Sequence, residues 1–340
     1  MSAIANPAVL AASHGYRRLL ARRVCLLLVI GCALLGSVLL DLSTGSSGMG
    51  LGQLLQGLLH PQTLDVTDRV IIWNVRLPYA LMAVLVGAAL SLASPFTLGV
   101  SSAAALGASL VIVFPLSSAL LSRDSLVALA AFVFACASMF LLHGMSRLRG
   151  AGVETLVLFG IALVFSCNAL VALLQLLATE DVLQQLVFWS LGSVARANWD
   201  KLGILALVLG LTAPFSLHAA SRMTLLRMGE ERAQSFGVDV RRLRFFALLR
   251  ISLLSATAVA FVGTIGFIGL VGPHIARILI GEDQRFLFPA SALVGALLLS
   301  LSSVVSKVIM PGVIVPVGIV TALVGVPIFV VLVFKRGRQL

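Results

Sequence analysis

Long uncharged apolar stretches, not alternating or half-apolar ones, set the pattern of this chain. Intervals free of Asp, Glu, Lys and Arg cover residues 24–40, 77–122, 125–146, 155–179, 202–221, 251–276, 286–306 and 308–334. Helices that are apolar on every side belong in a bilayer or a large core. At 1.5 Å rise per residue, six of these intervals match about one bilayer thickness. The interval 77–122 is 46 residues long and predicts two helices. Ser94-Pro95 is its natural break, because proline lacks an amide donor and restricts the residue before it. The interval 251–276, widened to 245–280, reads as one long span or as two short ones hinged at Gly263, Gly266 and Gly269.

Composition agrees with a membrane solvent. Of 340 residues, 60% are apolar and 11% charged, against roughly 45–50% and 25% in soluble domains. A disordered chain, a disulfide scaffold and an ordinary cytosolic enzyme are excluded. Charge then selects between span counts. With both long intervals split there are ten spans, and 18 of the 24 basic residues share a face with both termini. The other face carries Arg69, Arg76, Arg123, Arg196, Lys201 and Lys307. The positive-inside rule therefore predicts an all-α integral membrane protein of ten helices with both termini cytoplasmic. Residues 1–23 form a basic cytoplasmic N-terminus and 24–340 a single transmembrane domain. Arg17, Arg18, Arg22 and Arg23 before an apolar run look like a signal peptide, but no small-residue cleavage site follows, so the run is read as a retained first span. The net charge of +11 divides into +12 inside and −1 outside. It records sidedness and gives no reason to expect nucleic acid.

External loops are expected at 41–76, 123–124, 180–201 and 307–315, and internal ones near 94–99 and at 143–154, 222–244 and 281–285. Segment 183–195 is apolar but too short to span, which predicts an interfacial position with Trp189 and Trp199 at headgroup depth. Cys25, Cys32, Cys136 and Cys167 lie in apolar runs without metal spacing and read as small hydrophobes. The chain has no phosphate-binding loop of the GxxxxGK[ST] kind, no HExxH and no GxSxG. Acids sit in loops or at span ends, so a carrier built on buried carboxylates lacks its parts.

Two features invite function. Loop 222–244 is amphipathic, with Gly237 placed as a helix C′ residue and Arg241, Arg242 and Arg244 leading into the next span. It is either a solvated interfacial loop or a short helix that docks into a cytoplasmic partner. Arg76 and Lys307 are either span-end charges that snorkel or a basic rim that receives an acidic external protein.

At this point the motifs resemble those of a known family. GEERAQSFGVDVRRLR at 229–244, GTIGFIGLVGPHIAR at 263–277 and VPVGIVTALVGVPIF at 315–329 are similar to permease subunits of FecCD-type bacterial ABC importers for iron-siderophores, heme and cobalamin. RLPYALMAVLVGAAL (76–90), SPFTLGVSSAAALGAS (94–109), LVLFGIAL (156–163) and QQLVFWSLGS (184–193) extend the likeness from about residue 70 to the C-terminus. The resemblance implies a permease of the bacterial inner membrane that pairs with a second permease, with two cytoplasmic ATPases below and a periplasmic or lipoprotein substrate-binding protein above. No cofactor is expected in this chain, and ATP and Mg belong to the partner ATPase. The segment at Gly229, Glu230, Glu231, Ala233, Gly237, Arg241 and Arg242 matches the coupling helices between spans six and seven. Arg76 and Lys307 match docking positions, the latter with lysine where relatives carry arginine, which loses the bidentate fork. Glu154 and Thr155 stand where relatives place a gate, and Glu154 also suits a helix N-terminus.

Departures from the pattern are the direct run of Leu92-Ala93 into Ser94-Pro95, which shortens the second helix, and Ile314 where relatives carry a polar residue. The resemblance favours import of ferric siderophore. Heme or cobalamin import, a transport-impaired partner of a competent paralogue, and an ATP-independent carrier are the alternatives.

Overall fold

The computed structural model describes residues 7–45, 50–60, 62, 64–93, 99–114, 122–146, 153–226, 229–310 and 312–337. No strand occurs among them. Among the described residues thirteen helices, apart from one short 3-10 turn, follow in order. The first six are α1 (Pro7–Ser43), α2 (Leu51–Leu59), α3 (Val66–Leu92), α4 (Val100–Val113), α5 (Arg123–Ser146) and α6 (Val153–Leu177). Then come α7 (Glu180–Ser190), α8 (Trp199–Leu226), α9 (Glu230–Ser235) and α10 (Val240–Val262). The series closes with α11 (Ile268–Ile280), α12 (Gln284–Val308) and α13 (Val317–Gly337).

Seven of these helices are long and apolar enough to cross a membrane, and α4, α11 and Val317–Val331 of α13 are shorter apolar helices. Both ambiguous intervals divide. Helix α3 stops at Leu92 and α4 starts at Val100. The proposed break, Ser94-Pro95, lies outside the described residues. The second interval divides into α10 and α11 at Gly263, whose φ of 80° favours glycine. Its neighbours Gly266 and Gly269 fall in the link and in α11.

Burial separates centre from rim. The most apolar windows of α3, α10 and α12 are 61%, 50% and 50% buried, whereas those of α1, α6 and α8 are only 22%, 17% and 17% buried. The main core joins Met82, Val86 and Leu90 of α3 with Val100, Val127, Val259 and Leu299. Without water to drive association, helices in lipid pack by close backbone approach at small residues. Helices α3 and α12 do so at Gly87 and Gly295, where a Cβ on Gly87 would fall within 2.8 Å of the Ala296 Cα. Ser91 Oγ donates to the Ser291 carbonyl at 2.6 Å beside them, and Ser37 and Ser300 hydroxyls meet at 2.8 Å between α1 and α12.

The first turns of α3 are irregular. Ile71–Arg76 forms a π-helical segment, with the Leu77 amide bonded to the Ile72 carbonyl. Pro78 follows it and offers no amide to the preceding turn. Segments expected as plain loops carry structure: 41–76 holds α2 and the start of α3. Trp73 Nε1 donates to the Gly57 carbonyl at 3.3 Å, and Trp199 Nε1 to the Trp73 carbonyl at 3.0 Å. Helix α7 has one apolar face out, with Phe188 exposed, and one face in. Trp199 is exposed, whereas the Trp189 side chain does not reach the surface of the chain. It is buried in the main core, because α7 turns that side chain onto the bundle.

Candidate functional site

The end of the bundle that carries α9 is built from a helix–turn–helix–turn–helix. Helix α8 runs to Leu226, further than the expected span, so much of 222–244 is helical. Gly229 has φ 110°, a backbone that favours glycine, and lets the chain reverse into α9. Six residues later the helix closes in a Schellman motif. The Val238 amide reaches the Ala233 carbonyl at 3.1 Å and the Gly237 amide the Gln234 carbonyl at 2.9 Å. Gly237, at φ 79°, is the C′ residue that its place in the sequence predicts. Asp239 then caps α10, its Oδ1 accepting from the Arg242 amide at 3.0 Å.

Ala233 is fully buried, and with Val238, Val240, Leu243 and Ala219 it makes a small core between α8, α9 and α10. The residues around it point away. Glu231, Arg232, Arg241 and Arg242 are exposed, Arg242 pairing with Asp239 at 3.2 Å on the surface. Glu230 opens α9, and its side chain lies outside the described residues. The sequence reading passed over Phe236. Its ring is 67% exposed at the tip of the turn, an aromatic presented by a rigid two-helix support. Its signal was available: an aromatic directly before a helix-ending glycine has no place in the helix's own core.

At the opposite end, where α2 and α7 lie, Arg76 and Lys307 come together and both turn inward. Arg76 is 5% exposed, and its Nη1 donates to the Leu42 carbonyl at 2.6 Å. Lys307 Nζ lies 2.9 Å from the Asp41 carbonyl oxygen and 2.9 Å from Asp41 Oδ1. The lysine side chain is 8% exposed and the carboxylate is wholly buried. The carboxylate contact has the distance of an ion pair without the angle of a hydrogen bond. Two cations from α3 and α12 thus satisfy the last carbonyls of α1, which a helix leaves without partners. Neither side chain is a free surface charge in this arrangement. Asp41 was the overlooked clue, an acid closing an apolar span.

Arg196 sits in a 3-10 turn (Val194–Arg196) between α7 and α8. Its Nη2 donates to the Phe188 carbonyl at 2.8 Å, and its guanidinium stands 5.8 Å from the Trp189 ring centroid. Burial pulls this guanidinium below its ordinary value, and Asp124 works in the opposite direction. Glu154 and Thr155 lie in the first turn of α6, with side chains outside the described residues. Ile314 is exposed between α12 and α13.

The chain is a many-helix apolar bundle with a short helix, α9, packed at one end. Comparison with known proteins makes the class specific: the chain belongs to the FecCD transport family, whose signature matches residues 32–335. It is 35% identical to the hemin transport system permease protein HmuU of Yersinia pestis over 317 residues, covering 89% of this chain and 94% of that protein. The Fe(3+)-citrate import system permease protein YfmE of Bacillus subtilis is 33% identical over 327 residues, covering 92% and 96%. A solved structure described as a metal-chelate type ABC transporter in an inward-facing conformation is similar at TM-score 0.79 and 30% identity, covering 91% of this chain and 99% of that one. The protein is thus an ABC importer permease, a multi-pass membrane subunit whose ATPase is a separate chain.

Proposed function

We propose that this chain is the permease of an ATP-driven importer carrying ferric siderophore across the bacterial inner membrane. The observation that carries the coupling part of this reading is the α9 unit. Its backbone is held by Ala233 and Gly237 while Glu231, Arg232 and Phe236 are presented outward. Such a unit transmits a push, since a rigid element must move with whatever grips it. ATP and Mg bound by two ATPase subunits would supply the stroke. The reading has ten spans, namely the seven long helices and the three shorter apolar ones, with both termini and α9 in the cytoplasm.

A second permease subunit completes the path in this reading. The uncovered face of α6 supports it: Leu158, Phe165 and Leu176 are exposed there together with Asn168, a polar side chain that gains from a facing helix. A substrate-binding protein docks on the α2–α7 end, over the corner that Arg76 and Lys307 hold together. Glu154 and Thr155 would stand at the cytoplasmic mouth as the gate. The siderophore assignment rests on the motif likeness and on the iron-chelate relatives. Hemin is the second reading, favoured by the 35% identity to the hemin permease.

The test is uptake into proteoliposomes holding this chain with its ATPase and binding protein. ATP-dependent uptake of ferric chelates is expected. Uptake of heme or cobalamin instead would replace the substrate, and uptake without any ATPase would defeat the importer reading.

A further inference from the structure

Three stretches of chain meet through their backbones at the far end of α10. They are the turn after α7, the end of α10 with its link, and the first turn of α13. The Ser193 amide donates to the Val262 carbonyl at 2.7 Å, and the Gly318 amide to the Gly192 carbonyl at 3.2 Å. The Thr264 hydroxyl donates to the Ser190 carbonyl. Gly192 and Gly263 have φ of 66° and 80°. A Cβ on Gly192 would strike the Thr264 carbonyl oxygen, one on Gly263 the Trp189 carbonyl oxygen, and one on Gly318 the Leu191 carbonyl oxygen. Side chains flex around such contacts, but peptide groups do not. Trp189, Val194, Val262, Ile265 and Val317 seal the joint as part of one buried core.

Helix α10 leads from this joint to the opposite end of the molecule. It is 23 residues long and holds neither proline nor glycine. By contrast α8, α11, α12 and α13 each carry an internal proline. Helices kink at identifiable points, proline first among them. A 23-residue helix without one spans about 34 Å as a stiff rod. Its first turn, capped by Asp239, is joined to α9 by Val240 and Leu243, which share a small buried core with Ala233.

We propose that α10 is a lever and the Gly192–Gly263–Gly318 junction its joint. A displacement of α9 is delivered through α10 to α7 and to the start of α13. The three glycines and Thr264 are positioning residues for the transport cycle. They touch no cargo and act by keeping α7 attached to the rod. This inference rests on the proposed coupling role of α9 and adds the route by which the stroke crosses the membrane.

The test uses the whole complex with its ATPase and binding protein in lipid nanodiscs, the native cysteines replaced by alanine. Spin labels at Gln185 on α7 and Ser125 on α5 report the distance between these helices with and without ATP and vanadate. A nucleotide-dependent change is expected in the unaltered junction. Thr264→Val and Gly318→Ala should reduce that change to less than half while ATPase activity persists, and Thr264→Ser should restore it. Thr264→Val exchanges the hydroxyl for a methyl and leaves the backbone contacts in place, so it keeps the question open to refutation where Gly318→Ala disturbs folding. An undiminished distance change in Thr264→Val overturns the lever. So does an unaltered complex that transports with α7 standing still, and then the permease assignment survives. A complex that neither hydrolyses ATP nor transports defeats both.

Discussion

Phe236→Ala isolates the contact by which α9 would be gripped. The residue is 67% exposed and supported by the Schellman turn, so its truncation leaves the chain's own core untouched. A phenylalanine side chain offers about 200 Å² to burial, so roughly 130 Å² remains available to a partner. At about 25 cal/mol per Å² this is worth about 3 kcal/mol when fully covered. Fixing the ring in one rotamer costs about 1 kcal/mol of that. The net of about 2 kcal/mol predicts about thirty-fold weaker binding. Binding of the purified ATPase to nanodisc-held permease, followed by interferometry, measures it. Phe246→Ala is the control, because Phe246 is 55% exposed on α10 and takes no part in the small core around Ala233. A change below about three-fold for Phe236→Ala, or equal losses in both variants, would refute the reasoning.

Lys307→Met should lower stability by about 3–5 kcal/mol, because it strands a wholly buried carboxylate. Thermal unfolding in detergent should show the loss, and adding Asp41→Asn should recover most of it. Gly237→Ala should cost about 1–2 kcal/mol through backbone strain alone, since the space around it is open. ATPase binding should fall accordingly, and Gly237→Asn should be tolerated better. Gly295→Ala should overpack the α3–α12 contact by about 1–3 kcal/mol, seen as a lower unfolding midpoint, because its Cβ meets Ser91 and the Gly87 carbonyl.

Apolar length exposed the all-helical, membrane-crossing architecture because a bilayer heavily penalises unpaired backbone and exposed charge. The splits at Leu92 and at Gly263 were readable from span length, proline and glycine. Gly237 was readable too, because a Schellman ending is local and has a residue signature. The failures share a different cause. Trp189 looked interfacial and Lys307 looked solvent-facing because each was judged within its own segment. Their partners are remote: the core beneath α7 for one, and Asp41, 266 residues away, for the other. Phe236 differs, because its place directly before a helix-ending glycine was itself a local signal. No local pattern encodes the glycine junction, whose members stand in three distant turns.

The closure of α1 by Lys307 also bears on how the molecule is made. Asp41 leaves the ribosome 266 residues before the lysine that neutralises it. At about 5–20 residues per second that interval is about 13–53 s. Throughout it, the end of the first helix has only Arg76 of α3 to close it, and the Asp41 carboxylate waits for its lysine. The bundle can therefore be completed only after α12 arrives. A nascent chain cut before residue 307 would lack this tie between its first helix and α12.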